Sequence, residues 1–245
     1  MPANIYKLKD GTIVPGTTTI CGLLDKGAGI TNWAHKIAYE STCENLKKAF
    51  NDSTRRLGEL RLPDYEQITR WQDVRDSAGA KGTDVHAIIM DYLSGKEVIP
   101  PTDDIERRCF EQFLSWWGKQ KFKDAPCAKY PDLIMEKPFV SEKLRFGGTP
   151  DIIVGKRLID IKTGGKTLYD RNGKWMRNDW LYQLAGYDIL LRENGIKCTE
   201  YQILWIPKID DFDDPIRVDL SGEKKIFKHL LEVWKLRNDK GFDNG

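Results

Sequence analysis

The chain has 245 residues, 40% of them hydrophobic, and a formal net charge of +2. That length suits one large domain or two small ones, with enough apolar residues for a sizeable core. The near-neutral charge excludes a globally basic nucleic-acid binder, so any basic surface must be local.

No run of about 18 apolar residues predicts a membrane span. The N-terminus "MPANIYKLKDGTIVPG" lacks the apolar core of a secretion signal, so the expected compartment is the cytoplasm or an equivalent reducing space. The five cysteines, Cys21, Cys43, Cys109, Cys127 and Cys198, are scattered, with no C-x-x-C pair. They predict single thiols rather than a disulfide framework or zinc knuckle.

In chain order, "TTTICGLL" predicts a short helix with Thr17 or Thr18 as its N-cap. Residues 33–50 and 64–78 predict two more helices. In "GTDVHAIIMDYL", residues 82–93, Val85, Ile88, Ile89, Tyr92 and Leu93 follow the i, i+3, i+4, i+7, i+8 rule of one buried helical face. Residues 104–119 predict a helix with Phe110, Phe113, Leu114 and Trp117 inward.

From Leu133 the pattern changes. "LIMEKPFV", "KLRFGGTPDIIV" and "RLIDI" are short β-rich runs separated by "SEK" and "GK", which suit tight turns. They predict an antiparallel three-strand meander. Residues 178–192 return to helix, and "YQILWI" at 201–206 predicts another strand. Ser221 is the expected N-cap of a last helix burying Phe227, Leu230, Leu231 and Trp234. The fold class is therefore α+β, a sheet sandwiched by helices. The expected organisation is a helical lobe over residues 1–125 and a core over 126–245, integrated as one domain, since no linker separates them.

The run "GGTPDIIVGKRLIDIKTG" places charges among branched apolar residues. Alternation along a strand puts Asp160 and Lys162 on one face. A turn at Gly155-Lys156 sets Asp151 opposite or diagonal to Asp160. Opposed like charges destabilise a sheet, and a divalent cation between them reverses that sign. Mg²⁺ often takes only one or two carboxylates, with water and substrate phosphate. A lysine beside such a site orients water or stabilises phosphate charge, and either role stays open. An ordinary surface hairpin with an Asp–Lys pair is the competing reading, and the spacing within strand context disfavours it.

Pro150-Asp151, then Asp160-Ile161-Lys162, resembles the PD-(D/E)XK nuclease signature. "GTDVH" around His86 resembles the upstream histidine motif of the RecB-like branch. "DIKTG" continues as that branch does, and "QLAGY" is similar to its Q-x-x-x-Y motif through Gln183 and Tyr187. The resemblance covers roughly residues 10–206. Its N-terminal part, "VPGTTTICGLL" and Trp33, weakly resembles the phage and mitochondrial genome-maintenance exonucleases.

The resemblance implies a restriction-endonuclease-like core and a Mg²⁺- or Mn²⁺-dependent DNA exonuclease. It implies that His86, Asp151, Asp160 and the Ile161 backbone carbonyl bind metal and that Lys162 is the catalytic lysine. Glu136 matches an acidic residue on the preceding strand, which either reaches a second metal through water or pairs with a neighbouring base. Gln183 and Tyr187, four apart on one helical face, either position the reacting groups or hold the helix on the sheet. A role in replication, recombination or repair, with a phage-infected host cell among the settings, follows from the resemblance alone.

After the lysine, Lys166, Arg171, Lys174 and Arg177 outnumber Asp170 and Asp179, with Tyr169, Trp175 and Trp180 interleaved. This segment suits phosphate tracking and base stacking, or a solvated hairpin. The expected DNA-binding residues are Lys166, Arg171, Lys174, Trp175 and Arg177, on single-stranded DNA or a duplex end. Arg55, Arg56 and Arg61 fit a solvated helix face better. The cysteine spacing predicts no iron–sulfur cluster. No P-loop is present, so a helicase or recombinase partner would be another chain. The rival readings are a structure-specific endonuclease and a non-catalytic DNA-binding adaptor.

Overall fold

The computed structural model describes residues 4–24, 28–53, 70–120, 132–164, 178–212 and 215–239. The chain forms two compact units. One comprises Met1–Leu24 with Asp84–Gly245, and the other Asp25–Thr83. The second contains helix α2 (Ala28–Ser53) and the start of α3 (Trp71–Leu93). The two helices expected over 64–78 and 82–93 are thus one helix from Trp71 onward, continuing through Gly79 and Gly82. Glycine weakens a helix by about 1 kcal/mol without forbidding it. Residues 64–69 lie outside the described residues, as do Cys127, Arg55, Arg56 and Arg61. Among the described residues, no helix is long and apolar enough to cross a membrane.

The first unit is built on a mixed five-stranded sheet of order β3-β6-β7-β8-β9, so the fold is α+β with a sheet flanked by helices. The strands are β3 (Ile134–Met135), β6 (Ile152–Val154), β7 (Arg157–Gly164), β8 (Glu200–Pro207) and β9 (Ile216–Arg217). β6 and β7 form the expected hairpin, with Val154 paired to Arg157. Gly155 takes φ 57° at the first turn position, as tight hairpins require. Helix α5 (Asn178–Glu193) then carries the chain over, so that β8 lies parallel to β7.

The expected antiparallel three-strand meander forms as β3, β6 and β7, but an excursion interrupts it. Strands β4 (Phe139–Ser141) and β5 (Phe146–Gly148) leave the main sheet and pair with each other, and β3 pairs β6 directly. Prolines explain both breaks. Pro138 and Pro150 have no N–H to donate to a ladder, and they stand where each run is cut. A further pair, β1 (Tyr6–Lys7) with β2 (Ile13–Val14), carried no sequence signal because each strand is two residues long.

Strand alternation feeds two cores. On one face, Ile153, Leu158, Tyr201 and Ile203 pack with α5, α1 (Thr17–Cys21) and α6 (Glu223–Asp239). On the other, Ile152, Val154, Ile159, Ile161, Leu204 and Ile206 meet Val85, Ile89 and Leu93 of α3 and Phe110, Phe113 and Trp117 of α4 (Asp104–Lys119). Asp103 caps α4 by accepting from Ile105 and Glu106 N–H at 2.9 and 3.1 Å. Trp116 is also buried, its ring tilted against Phe113 and Trp117 in the same aromatic cluster, although the helical stripe did not single it out.

Both expected caps are corrected. Gly16 is the N-cap of α1, while Thr17 is buried and its hydroxyl donates to the Gly147 carbonyl at 2.9 Å. Thr17 therefore ties α1 to β5. Ser221 donates instead to Asp219 at 2.7 Å, and the carbonyls of Leu220 and Gly222 accept from the N–H groups of Lys224, Lys225 and Ile226 at the start of α6.

Gly148 lies where β5 meets α5. A Cβ there would come 2.5 Å from Thr17 Oγ1, 2.8 Å from Tyr187 Cε1 and 2.9 Å from Leu190 Cδ1. Gly148→Ala is expected to destabilise the protein by about 1–3 kcal/mol, the cost of overpacking a dense core, as a lower urea midpoint at unchanged m-value.

Candidate active site

β7 has a mixed character. Ile159 and Ile161 face α4 and the α3 core, whereas Asp160 and Lys162 point to the α5 side, where Leu158 continues the apolar core. Two core positions are thus spent on charges. Lys162 Nζ stands 2.7 Å from Asp160 Oδ2. The contact is an ion pair at hydrogen-bond distance, with Asp160 fully buried. Gln183, on α5, bridges the pair. Its Oε1 accepts from Lys162 and its Nε2 donates to Asp160 Oδ1, both at a long 3.4 Å. Gln183 Nε2 also donates to Tyr187 Oη at 2.8 Å, one helical turn on.

Asp151 stands just before β6, beyond the last ladder pair. Its Oδ2 accepts from the Ile161 N–H at 2.7 Å, and its Oδ1 lies 3.3 Å from His86 Nε2. Glu136 Oε1 is 3.3 Å from His86 Nδ1. Glu136 follows β3 in a left-handed conformation, φ 43°, with its N–H bonded to the Asp151 carbonyl. A non-glycine residue rarely adopts that backbone.

The structure therefore joins His86, Glu136, Asp151, Asp160, Ile161, Lys162, Gln183 and Tyr187 through side-chain and backbone contacts. Ile161 enters these contacts through its N–H. Lys166, Arg171, Lys174, Trp175 and Arg177, and also Tyr169, lie outside the described residues.

The electrostatics follow from burial and proximity. Burial pushes the Asp160 carboxyl up to about 6, with Lys162 opposing and Asp151 adding to the rise. Burial also disfavours charge on Lys162, but Asp160 and Asp151 outweigh it and hold the ammonium above its ordinary pKa. For Asp151, burial is overcome by the His86 contact and the carboxyl is lowered. For His86, burial is overcome by Asp151 and Glu136, and the imidazole is raised above its ordinary 6.5. Both ring nitrogens face carboxylates, an arrangement that only the doubly protonated ring can satisfy by donation. Cys21 also lies near this group. Burial, reinforced by Asp179, pushes its thiol up to about 12, so it stays neutral and is no nucleophile at ordinary pH.

A pH test follows. His86 has a folded pKa above its unfolded one. The stability it contributes is present below pH 6.5 and lost as pH rises through the raised value. Asp151, being lowered, remains ionised through that window. In chelator, the stability gap between the protein and His86→Ala is expected to shrink from pH 5.5 to pH 8, measured by urea unfolding at each pH.

The donors present suit a divalent cation in part. Two ligands about 2.1 Å from one ion at right angles lie about 3 Å apart, close to the 3.3 Å between His86 Nε2 and Asp151 Oδ1. Asp160 Oδ2 is a buried carboxylate oxygen with the Lys162 ammonium 2.7 Å away. Among the described residues, however, no group of three or more His, Cys, Asp or Glu side chains is arranged to hold a metal ion. The pair is formed, and a third side-chain ligand is not at the same point.

Signals missed in the sequence were supporting ones. Thr17 and Gly148 meet beside Tyr187: a Cβ on Gly148 would come 2.5 Å from Thr17 Oγ1 and 2.8 Å from Tyr187 Cε1, a contact that no local pattern marks. Only their burial in the folded chain identifies them.

No family model and no curated protein matches the chain. A solved structure from Eubacterium rectale, of a protein named as a candidate exonuclease, is similar to it at 13% identity, with a TM-score of 0.47, over 65% of this chain and 68% of that one.

Proposed function

We propose that this chain is a Mg²⁺- or Mn²⁺-dependent deoxyribonuclease that hydrolyses phosphodiester bonds from a DNA end. The observation that carries this reading is the buried Asp160–Lys162 pair, held by Gln183 beside the His86–Asp151 pair. The resemblance to PD-(D/E)XK nucleases of the RecB-like branch supports it on the same residues, and it is the ground for preferring an exonuclease acting in replication, recombination or repair.

In this reading His86 and Asp151 would hold the cation, and Asp160 and the Ile161 carbonyl would be the further oxygen donors that complete the set when it binds. A divalent cation supplies a more acidic water and offsets phosphate charge. Lys162 is an ammonium at neutral pH, so it donates to a phosphate oxygen or to water rather than accepting a proton. Asp160 keeps that ammonium charged and aimed. Gln183 fixes both, and Tyr187 fixes Gln183. Their shared work is positioning, which lets the reaction proceed without reorganising the site. Glu136 holds the His86 ring through Nδ1, which leaves Nε2 toward Asp151.

The test compares end-labelled linear DNA, single- and double-stranded, with covalently closed circles, in Mg²⁺, Mn²⁺ or chelator. Degradation of linear DNA only, and only with metal, is expected. Cutting of closed circles would replace the exonuclease reading with an endonuclease. No degradation of any DNA form would favour a DNA-binding adaptor.

A further inference from the structure

We propose that Trp180, braced by Trp205, is the stacking platform for the nucleobase beside the phosphodiester bond cleaved at Asp160 and Lys162. The inference rests on the nuclease reading and deepens it.

Trp205 is paired in register with Lys162 on the parallel strand β8. Registered neighbours in a sheet lie about 4.8 Å apart and share a face, so both side chains emerge under α5. The Trp205 indole lies across β7. A Cβ on Gly164, two residues beyond Lys162 on that face, would meet its Cη2 at 1.9 Å and Cζ2 at 2.3 Å. Only glycine lets the ring occupy this position. Trp180 then stacks on Trp205, with ring centroids 5.4 Å apart and planes 30° apart. Trp180 lies three residues before Gln183, hence on the same side of α5 and one turn nearer its start.

Asp160, Lys162 and the two indoles thus form one row. Charge suited to a phosphate comes first, and aromatic surface suited to a base comes next. Both tryptophans remain half-buried, unlike the fully buried Leu158 and Ile203 further along the same face. Stacking tolerates every base because each has a π-face, which suits an enzyme that must pass along any sequence.

The experiment measures kcat/KM on a single-stranded oligonucleotide carrying either a normal nucleotide or an abasic one, scanned across the positions flanking the cleaved bond. In the wild type, an abasic residue at one flanking position is expected to lower kcat/KM roughly tenfold. Trp180→Ala should show a similar loss on normal DNA and no further loss at the abasic position. Trp180→Phe, which preserves packing and a smaller π-face, should recover most of the rate and the abasic sensitivity. Equal abasic penalties in wild type and Trp180→Ala would overturn the platform while leaving the nuclease reading intact. A wild type that degrades no DNA would overturn both.

Discussion

Replacing Lys162 with alanine is expected to lower the rate of metal-dependent DNA cleavage by at least about 100-fold, on the scale of losing one preorganised charge stabiliser. The fold should survive. Without the ammonium, Asp160 loses the contact that opposes its burial, and its already raised pKa rises further. The carboxyl then takes up a proton instead of remaining a bare buried charge, which limits the damage. Single-turnover cleavage and a urea melt on the same preparation separate the two effects. Lys162→Arg should recover little, because a planar guanidinium cannot replace a point charge seated between Asp160 and Gln183. A Lys162→Ala protein that cleaves at the wild-type rate would remove this residue from the chemistry.

The second large effect is one of stability, away from that site. Asp188 is fully buried on α5. Its Oδ2 contacts Arg192 Nε at 2.7 Å and Lys224 Nζ at 2.6 Å, and its Oδ1 accepts from the Tyr201 hydroxyl at 2.9 Å. Arg192 also donates to the Cys198 carbonyl, and Lys224 lies over the Tyr201 ring. One carboxylate therefore joins α5, the start of β8 and α6. Asp188→Ala takes the carboxylate from two cations, while the Tyr201 hydroxyl keeps the Cys198 carbonyl as an acceptor at 2.9 Å. Loss of one partner of a buried pair costs about 3–5 kcal/mol. The lower end is expected here, because Arg192 is nearly half exposed and can be resolvated. Urea unfolding at pH 7 measures it, and Asp188→Asn should fall between the two proteins by keeping a side-chain acceptor among these donors.

Local patterns in the sequence were a good guide wherever one segment decided its own structure. Helix α4 occupies the expected residues because its apolar stripe, an aspartate cap and a proline-rich entry agree. The β6–β7 hairpin follows from glycine at its turn, and that hairpin brings Asp151 beside the strand carrying Asp160. Other features depended on distant segments. Nothing local says that β3 pairs β6 while β4 and β5 pair apart, since strand pairing is settled by what covers each face. Thr17 resembled a cap because its type and place suited one, yet its hydroxyl reaches Gly147, 130 residues away. Ser221 was drawn off by Asp219, a nearer acceptor. In the site, strand alternation indicated that Asp160 and Lys162 share a face. It did not indicate that both His86 nitrogens meet carboxylates, or that Trp205 lies across Gly164.

The proposed nuclease reading requires a divalent cation bound at His86 and Asp151, near Asp160 and Lys162. Calorimetric titration with Mn²⁺ tests it most directly, on the wild type, His86→Ala and Asp151→Asn at pH 7.5. The expected result is saturable binding to the wild type, weakened roughly tenfold or more in each variant, as befits loss of a group in or around a metal site. A wild type that takes up no Mn²⁺, or two variants that bind it as tightly as the wild type, would remove the cation from His86 and Asp151.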